Sequence, residues 1–107
     1  IRKRFSNPIA TTNGNGLLHQ INLKKNTDID HVVLMEDIAL GERVREFMVE
    51  GKTPKGWITL CTGSSIGHKF IAQFNATTVS ALRLRITKTL ADPQIKAFSI
   101  FNAMTAK

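Results

Sequence analysis

The sequence predicts an all-β fold, an antiparallel β-sandwich, and three observations support this prediction. About seven short apolar segments are separated by turns rich in Gly, Pro and Asn. In segment 78–89, the aliphatic residues Leu82, Leu84 and Ile86 alternate with polar residues, as in a strand with one buried face. Only one segment has the apolar spacing of an amphipathic helix. Short strands at even spacing with frequent turns are typical of a sandwich.

The first third of the chain contains one predicted turn and two predicted strands. Asn13–Gly16 predicts a loop or hairpin turn, because Asn and Gly tolerate positive φ. His19–Leu23 alternates between polar and apolar residues, and Asn26–Asp28 is a polar break. Ile29–Met35 is apolar on both faces, which indicates a strand in the centre of a sheet.

Segment 37–51 admits two interpretations. Asp37 could cap a helix, and Gly51 could end it. Val44, Phe47 and Met48 have the i, i+3, i+4 spacing of one helix face. Gly41 weakens the helix, because glycine in a helix interior costs stability. In the second interpretation, Gly41 forms a turn and Arg43–Glu50 is a strand. The pattern alone favours the helix.

The second half of the chain alternates between turns and predicted strands. Pro and Gly mark the turns, which are Lys52–Gly56, Gly63–Gly67 and Asp92–Pro93. The predicted strands are Trp57–Thr62, Phe70–Phe74, Thr78–Thr89 and Ile95–Phe101.

The chain has a basic composition. Its 107 residues fit one domain, and 15 Lys and Arg against 8 Asp and Glu give a net charge of +7. Such a surplus can attract nucleic acid, an anionic membrane or acidic glycans. The charges are dispersed, however, and lack the interleaved aromatic residues of a single-strand binder. We therefore expect solvated surface charge, and neither a nucleic acid nor a membrane as partner.

Several classes of site are excluded by residue type and spacing. The single cysteine, Cys61, rules out an internal disulfide and a cysteine-based zinc site, and we expect it to be a buried, inert thiol. His19 and His31 lack partners at metal-ligand spacing. We expect no cofactor. No run approaches the roughly 18 apolar residues of a membrane span, and no signal peptide is evident. The chain starts with Ile1 rather than Met, so we expect a piece of a longer protein.

A series of motifs in fixed order carries a family resemblance. The motifs are Val33–Ile38, Gly41–Val44, Val49–Glu50, Trp57, Gly63–Lys69, Leu82–Ile86 and Asp92–Ile95. In their order and spacing, the sequence from about Leu18 to Asn102 resembles the C-terminal β-sandwich domain of bacterial and plant α-L-fucosidases. The resemblance implies a galactose-binding-like, discoidin-type jelly roll, a fold in which many members bind carbohydrate. The resemblance also favours the strand at Arg43–Glu50 over the helix.

The resemblance implies a division of labour within a larger enzyme. Residues 1–17 form an N-terminal loop or edge strand and residues 18–107 the accessory domain, which packs on a catalytic (β/α)₈ barrel with a carboxylate nucleophile. The setting implied is periplasmic or extracellular. Segment Arg4–Leu17 lacks the Trp, Tyr and Asp of the family pattern, so a ligand rim and a calcium site there are not carried over.

Adjacent carboxylates in this chain are not expected to perform hydrolysis. A retaining glycosidase needs two carboxyl groups about 5 Å apart across one bond. Glu36 and Asp37 are neighbours, and neighbours in an extended chain point to opposite faces. We therefore predict a chain that is not itself an enzyme.

Five residues are candidates for weak binding of a fucosylated or galactose-type glycan. An aromatic plane stacks on the apolar face of a sugar ring, and polar groups fix its hydroxyls. Trp57 supplies the aromatic plane, or else closes the end of the core. His68 and Lys69 could bind a sugar hydroxyl or a carboxylated glycan, or else Lys69 braces its loop by binding loop carbonyls and an acidic partner such as Glu36 or Asp37. Arg43 could contact the ligand or form a surface ion pair with Glu36.

Arg83 and Arg85 are predicted to be solvated charges that protect a strand edge. The sequence thus predicts a non-catalytic, carbohydrate-binding-like accessory module. The alternatives are a purely structural brace and a basic nucleic-acid-binding module.

Overall fold

The protein is an all-β chain whose strands are all antiparallel. The structure, a computed structural model, describes residues 8–39 and 41–102. Its six strands form one sheet in the order β1-β6-β2-β5-β3-β4. The strands are β1 (Ala10–Asn15), β2 (Leu18–Glu36), β3 (Val44–Thr53), β4 (Gly56–Gly63), β5 (Phe70–Thr89) and β6 (Gln94–Phe101). The predicted all-β, antiparallel class is confirmed.

Two long strands divide the sheet into two halves. Residues 31–36 of β2 pair with β6, and residues 31–34 pair with the start of β5. Residues 18–22 of β2 instead pair with residues 81–85 of β5. This part of β5 pairs on its other side with β3, and β3 pairs with β4. We call these the β6 half and the β3 half. Between them the pairing of β2 and β5 shifts register twice, which allows the long strands to bend.

Both halves contribute to one hydrophobic core. Val32 and Phe98 come from the β6 half, Val49 and Leu84 from the β3 half, and all four are fully buried in the same cluster. Residues at alternate positions along each strand share a face, so each half turns one face inward. Each such side chain contributes roughly 1.5–3 kcal/mol through burial.

The segment whose pattern suggested a helix is strand β3. A hydrogen bond of 2.9 Å from the Gly41 N–H to the carbonyl of Ile38 closes the preceding turn, in which Gly41 has φ of 97°. The pairing of β3 with β5 is irregular between Val44 and Glu46 and again between Glu46 and Phe47. These bulges bury both Val44 and Phe47 although three positions separate them, which explains the helix-like spacing.

Two predicted breaks in the chain are absent, and six strands replace the expected seven or so. The polar stretch Asn26–Asp28 lies within β2, where Thr27 and Asp28 pair with residues 78–79 of β5. The predicted strands Phe70–Phe74 and Thr78–Thr89 are both parts of β5. Polar residues can pair with one another across strands. β2 and β5 therefore remain paired at Thr27 and Asp28, although the side chains of this polar stretch are more exposed than those that follow in β2.

The N-terminal turn lies later than predicted. β1 continues through Asn15, and the chain turns at Gly16, which has φ of 103°. In the described part of the chain, β1 pairs only with β6 and lies at one edge of the sheet. Residues 1–7 of the predicted N-terminal segment lie outside the described residues, and the boundary at residue 18 stays a prediction. Among residues 8–39 and 41–102, no helix is long and apolar enough to cross a membrane.

Candidate functional site

Glu36 occupies the junction between β2, β3 and the loop before β5. It is 2% exposed, and its Oε2 accepts hydrogen bonds from the backbone N–H groups of Arg43 at 2.7 Å and Val44 at 3.2 Å. Its own N–H donates to the carbonyl of Gly67 at 3.0 Å. A buried carboxylate that accepts backbone N–H groups satisfies donors that would otherwise be left unpaired. Oε1 is buried and has no hydrogen-bond partner in the part of the chain that the structure describes.

Arg43 is fixed by its backbone and by its guanidinium. The carbonyl accepts bonds from the Leu90 N–H at 2.9 Å and the Thr89 hydroxyl at 3.0 Å, and Nη1 donates to the carbonyl of Asp92 at 2.7 Å. The expected surface ion pair between Arg43 and Glu36 is therefore wrong. Glu36 is buried, and it contacts the backbone of Arg43 rather than the guanidinium.

His68 and Lys69 are exposed on the loop that follows Gly67. Gly67 has φ of 60°, and a Cβ at this position would lie 3.0 Å from Glu42 Oε1, so the loop passes close to that carboxylate. Lys69 makes no ion pair with the described acidic residues, so the expected brace to Glu36 is not formed. It lines a cavity of about 190 Å³ whose walls include Val33, Met35, Ile71 and Phe101.

Trp57 lies on β4, the other edge strand, and is half-buried. The Arg83 guanidinium carbon lies 4.0 Å from the ring centroid, a cation–π contact that covers one ring face. Arg83 Nε also donates to Glu50 Oε1 at 2.6 Å. The prediction that Arg83 and Arg85 protect a strand edge is wrong, because β5 lies between β2 and β3 in the sheet.

The structure brings four of the five candidates together and separates the fifth. Glu36 contacts Arg43 and the carbonyl of Gly67, the residue before His68 and Lys69. Trp57 pairs with Lys52 near the far end of β3. Eight residues separate Lys52 from Val44, which corresponds to roughly 26 Å along a strand. Sugar binding by this set stays a prediction, and any such binding would occur at two places.

Glu50 and Cys61 have shifted pKa values. The hydrogen bond from Arg83 lowers the pKa of Glu50, with further lowering by the charges of Arg83 and Arg85, and burial opposes the shift. The carboxylate is therefore ionised at neutral pH. Burial raises the pKa of the Cys61 thiol to about 11, so the thiol is protonated at neutral pH and a poor nucleophile, although it is only partly buried.

One cleft was not found from the sequence. It measures about 410 Å³, and its polar walls come from three strands and the loop after β4, namely Glu46, Thr62, Ser64 and Thr87. The register of β3 with β4 and β5 brings these residues together, and nothing in their sequence spacing reveals it. Within the described ranges, no group of three or more His, Cys, Asp and Glu residues could hold a metal ion.

This chain is similar to parts of two longer proteins, both assigned as α-L-fucosidases. No family model matches the chain. A rice protein assigned as an α-L-fucosidase is 34% identical over 79 residues, which are 74% of this chain and 15% of the rice protein. The crystal structure of a protein from Bacteroides thetaiotaomicron, also assigned as an α-L-fucosidase, is 36% identical with a TM-score of 0.91. The match covers 94% of this chain and 23% of the Bacteroides chain.

A smaller protein shares the fold. A chitosan-binding module of a Paenibacillus chitosanase/glucanase has a TM-score of 0.66 at 15% identity. The match covers 94% of this chain and 82% of that module. The described fold therefore corresponds to nearly all of a separate module and to a small part of the much longer proteins.

Proposed function

We propose that this chain is the C-terminal accessory domain of an α-L-fucosidase and takes no direct part in hydrolysis. One observation carries the proposal: 36% identity and a TM-score of 0.91 over 94% of this chain, against 23% of the Bacteroides protein. The parent enzyme would cleave fucosyl linkages on a separate barrel domain, in a periplasmic or extracellular setting.

We further assign the domain to the galactose-binding-like, discoidin-type jelly rolls. The pairing of β2 and β5 changes partners midway, and both halves of the sheet contribute to one core cluster. Two sheet faces that share one core are the defining feature of a sandwich. The likeness to a chitosan-binding module supports the same assignment.

The placement of two of the buried carboxylates, Glu36 and Glu50, supports a role without catalysis. Glycoside hydrolysis needs one carboxyl group as acid and a second as nucleophile or base, both facing the sugar. Glu36 is buried and accepts backbone N–H groups, and the ionised Glu50 is held by Arg83. Neither carboxyl group is free to reach a scissile bond.

The role that we propose is weak glycan binding. The exposed His68 and Lys69 would contact sugar hydroxyls, on a loop held in place by Glu36 through Gly67. Arg43 would fix the opposite side of the same junction, and Trp57 would offer its remaining ring face at a second place. Stacking on an aromatic ring supplies much of the apolar contact in sugar-binding sites. Because Trp57 lies away from His68 and Lys69, the site at this loop lacks that contact, and we expect its affinity for sugar to be weak.

A second candidate role is to brace the catalytic barrel. The cavity beside Lys69 is lined mainly by apolar side chains, and Ile71 on its wall is 49% exposed. Apolar surface left open in this way is typical of a contact surface. In that case, the domain would stabilise the parent enzyme without binding sugar.

The two roles are separated by titration and by substitution. Fucose, galactose and N-acetylglucosamine, added at millimolar concentration to the isotope-labelled chain, should shift the NMR signals of His68 and Lys69. If no sugar shifts any signal, the glycan-binding role fails. Bracing predicts that Ile71→Ser lowers the melting temperature of the full-length parent, whereas the matched Leu90→Ser, at a side chain that is 71% exposed, does not.

The nucleic-acid alternative is tested by salt. A basic nucleic-acid-binding module would bind duplex or single-stranded DNA with an affinity that falls steeply with salt concentration. We expect no such binding, because the basic residues are dispersed along the chain.

A further inference from the structure

The β3 half of the sheet has an outer face, opposite the core, on which charged residues are organised around one carboxylate. We define the outer face by Glu46, Met48, Glu50, Trp57, Arg83, Arg85 and Thr87. Glu50 Oε1 is shared by two guanidinium groups, with Arg83 Nε at 2.6 Å and Arg85 Nη1 at 3.5 Å. Two guanidinium groups therefore share one carboxylate oxygen, while the second carboxylate of the outer face, Glu46, lies apart from both arginines, so the face as a whole has no net charge.

The two arginines differ in how fully they are engaged. Arg83 has a short bond to Glu50, stacks on Trp57, and its side chain is 26% exposed. Arg85 has only the long contact to Glu50 among the described residues, and its side chain is 47% exposed. A guanidinium has five N–H donors in a planar fork that fits a carboxylate. Arg85 thus retains donors that an incoming anion can use.

Arg85 lies beside the cleft of about 410 Å³. Its Cα partner on β3 is Met48, which lines the cleft, and Thr87, two positions along the same face, lines it as well. The cleft falls within the range of volumes that hold small ligands. Hydroxyl groups of Thr62, Ser64 and Thr87 supply both donors and acceptors along its walls.

Glu46 limits which anions this site accepts. Its Oε1 accepts a bond from the Thr87 hydroxyl at 2.8 Å, and Oε2 lies 4.0 Å from Lys88 Nζ. The Glu46 side chain is 51% exposed and can accept further hydroxyl donors from a ligand. The Glu46 carboxylate would repel an anionic group placed inside the cleft, whereas neutral hydroxyls of a ligand can donate to it. The ligand must combine a carboxylate for Arg85 with hydroxyls for Glu46 and the cleft.

We propose that the cleft and Arg85 form a binding site for an acidic sugar, a uronic acid residue of a glycan. The carboxylate of the sugar pairs with the Arg85 guanidinium, and its ring hydroxyls bond to Glu46, Thr62 and Thr87. This proposal rests on the proposed function, because it assumes a domain that binds glycans. It differs in its ligand and in its lining residues from the site proposed at His68 and Lys69, which lie on the same loop as Ser64.

The test is an NMR titration of the whole 107-residue chain with galacturonic acid, its methyl ester, galactose and acetate. Galacturonic acid should shift the signals of Thr62, Ser64 and Thr87. The neutral ester and galactose should bind about tenfold more weakly, since a hydrogen bond to a charged group contributes enough free energy for that factor. Acetate should not bind. The comparison of galacturonic acid with its methyl ester uses the unaltered chain, so it tests the proposal even if a substitution impairs folding.

Two variants, each of which removes one positive charge, test whether the carboxylate of the sugar binds at Arg85. Arg85→Gln should weaken galacturonic acid about tenfold and abolish the preference over the ester. Lys96→Gln, which removes one positive charge from the exposed side of β6, should leave both affinities unchanged.

Other outcomes overturn the proposal. Equal binding of acid and ester, shifts confined to residues away from the cleft, or an unaffected Arg85→Gln would each do so. Tighter binding of a hexaglutamate peptide to the same residues would identify an acidic protein surface as the ligand instead. If galactose or fucose shifts His68 while galacturonic acid leaves the cleft unchanged, the acidic-sugar site fails and the proposed function stands.

Discussion

Glu36 holds the junction at which β2 ends, β3 begins and the Gly67 loop returns to the sheet. Its carboxylate is the acceptor for two backbone donors, and one of them, the Val44 N–H, is buried. A carboxylate in this position replaces the ladder bonds that the start of β3 lacks. The sequence suggested an ion pair for this residue, since neither its burial nor the backbone donors can be read from residue type.

Replacing Glu36 should destabilise the fold strongly. Glu36→Ala leaves the N–H groups of Arg43 and Val44 without their acceptor and opens a cavity, and we expect a loss of about 2–4 kcal/mol in the free energy of unfolding. Urea denaturation measures this loss. Asp37→Ala is the matched control, because Asp37 is exposed and its side chain accepts a single hydrogen bond from the described residues, that of the Ala39 N–H. A loss below that of Asp37→Ala would contradict the role assigned to Glu36.

Glu50 should make stability depend on pH. Its folded pKa lies below the ordinary 4.5, so its contribution is complete above that value and is lost as the pH falls through the folded pKa. Glu50→Gln should therefore cost about 1.5–3 kcal/mol near pH 7 and less near about pH 3. Denaturation of both proteins across this range measures the difference. A cost of Glu50→Gln that does not change with pH would contradict the role assigned to the bond between Glu50 and Arg83.

Strand β4 is held to β3 by close packing at a glycine. A Cβ built at Gly63 would lie 2.6 Å from Phe47 Cζ, and Phe47 packs edge-on against Phe70 with centroids 5.1 Å apart. The Phe47 ring is 1% exposed and cannot easily move aside. The absence of a side chain at Gly63 therefore lets the edge strand approach the core.

Gly63→Ala should destabilise the protein by about 1–3 kcal/mol, the typical cost of overpacking a core. Thermal denaturation, with Ser64→Ala at the exposed neighbouring position as control, measures this. A Gly63→Ala variant as stable as the control would show that β4 is not packed as described.

At the level of elements, the sequence predicted β3, β4 and β6 to within a few residues once the resemblance was applied. The periodicity of β3 alone predicted a helix, because bulges around Glu46 give its buried residues a helix-like spacing. The continuity of β2 through its polar stretch was missed, since period and hydropathy report burial rather than pairing. Contacts such as Trp57 with Arg83, and the whole cleft beside Arg85, depend on strand register, and a single sequence does not contain that information.

At the scale of the whole molecule, the described residues form one antiparallel sheet whose two halves share one core, and the chain has a net charge of +7. The relatives are about four to five times as long as this chain, because the matched residues make up 23% and 15% of them. Glu36 is buried and bonded to the backbone, whereas His68, Lys69 and Arg85 are exposed.

The most direct test of the central claim is hydrolysis of para-nitrophenyl α-L-fucoside by the full polypeptide that includes this sequence and by the 107-residue chain alone. We expect the full polypeptide to release nitrophenol and the isolated, folded chain to release none. Release by the isolated chain, or a full polypeptide that folds yet leaves the α-L-fucoside intact, would contradict the assignment as an accessory domain of an α-L-fucosidase.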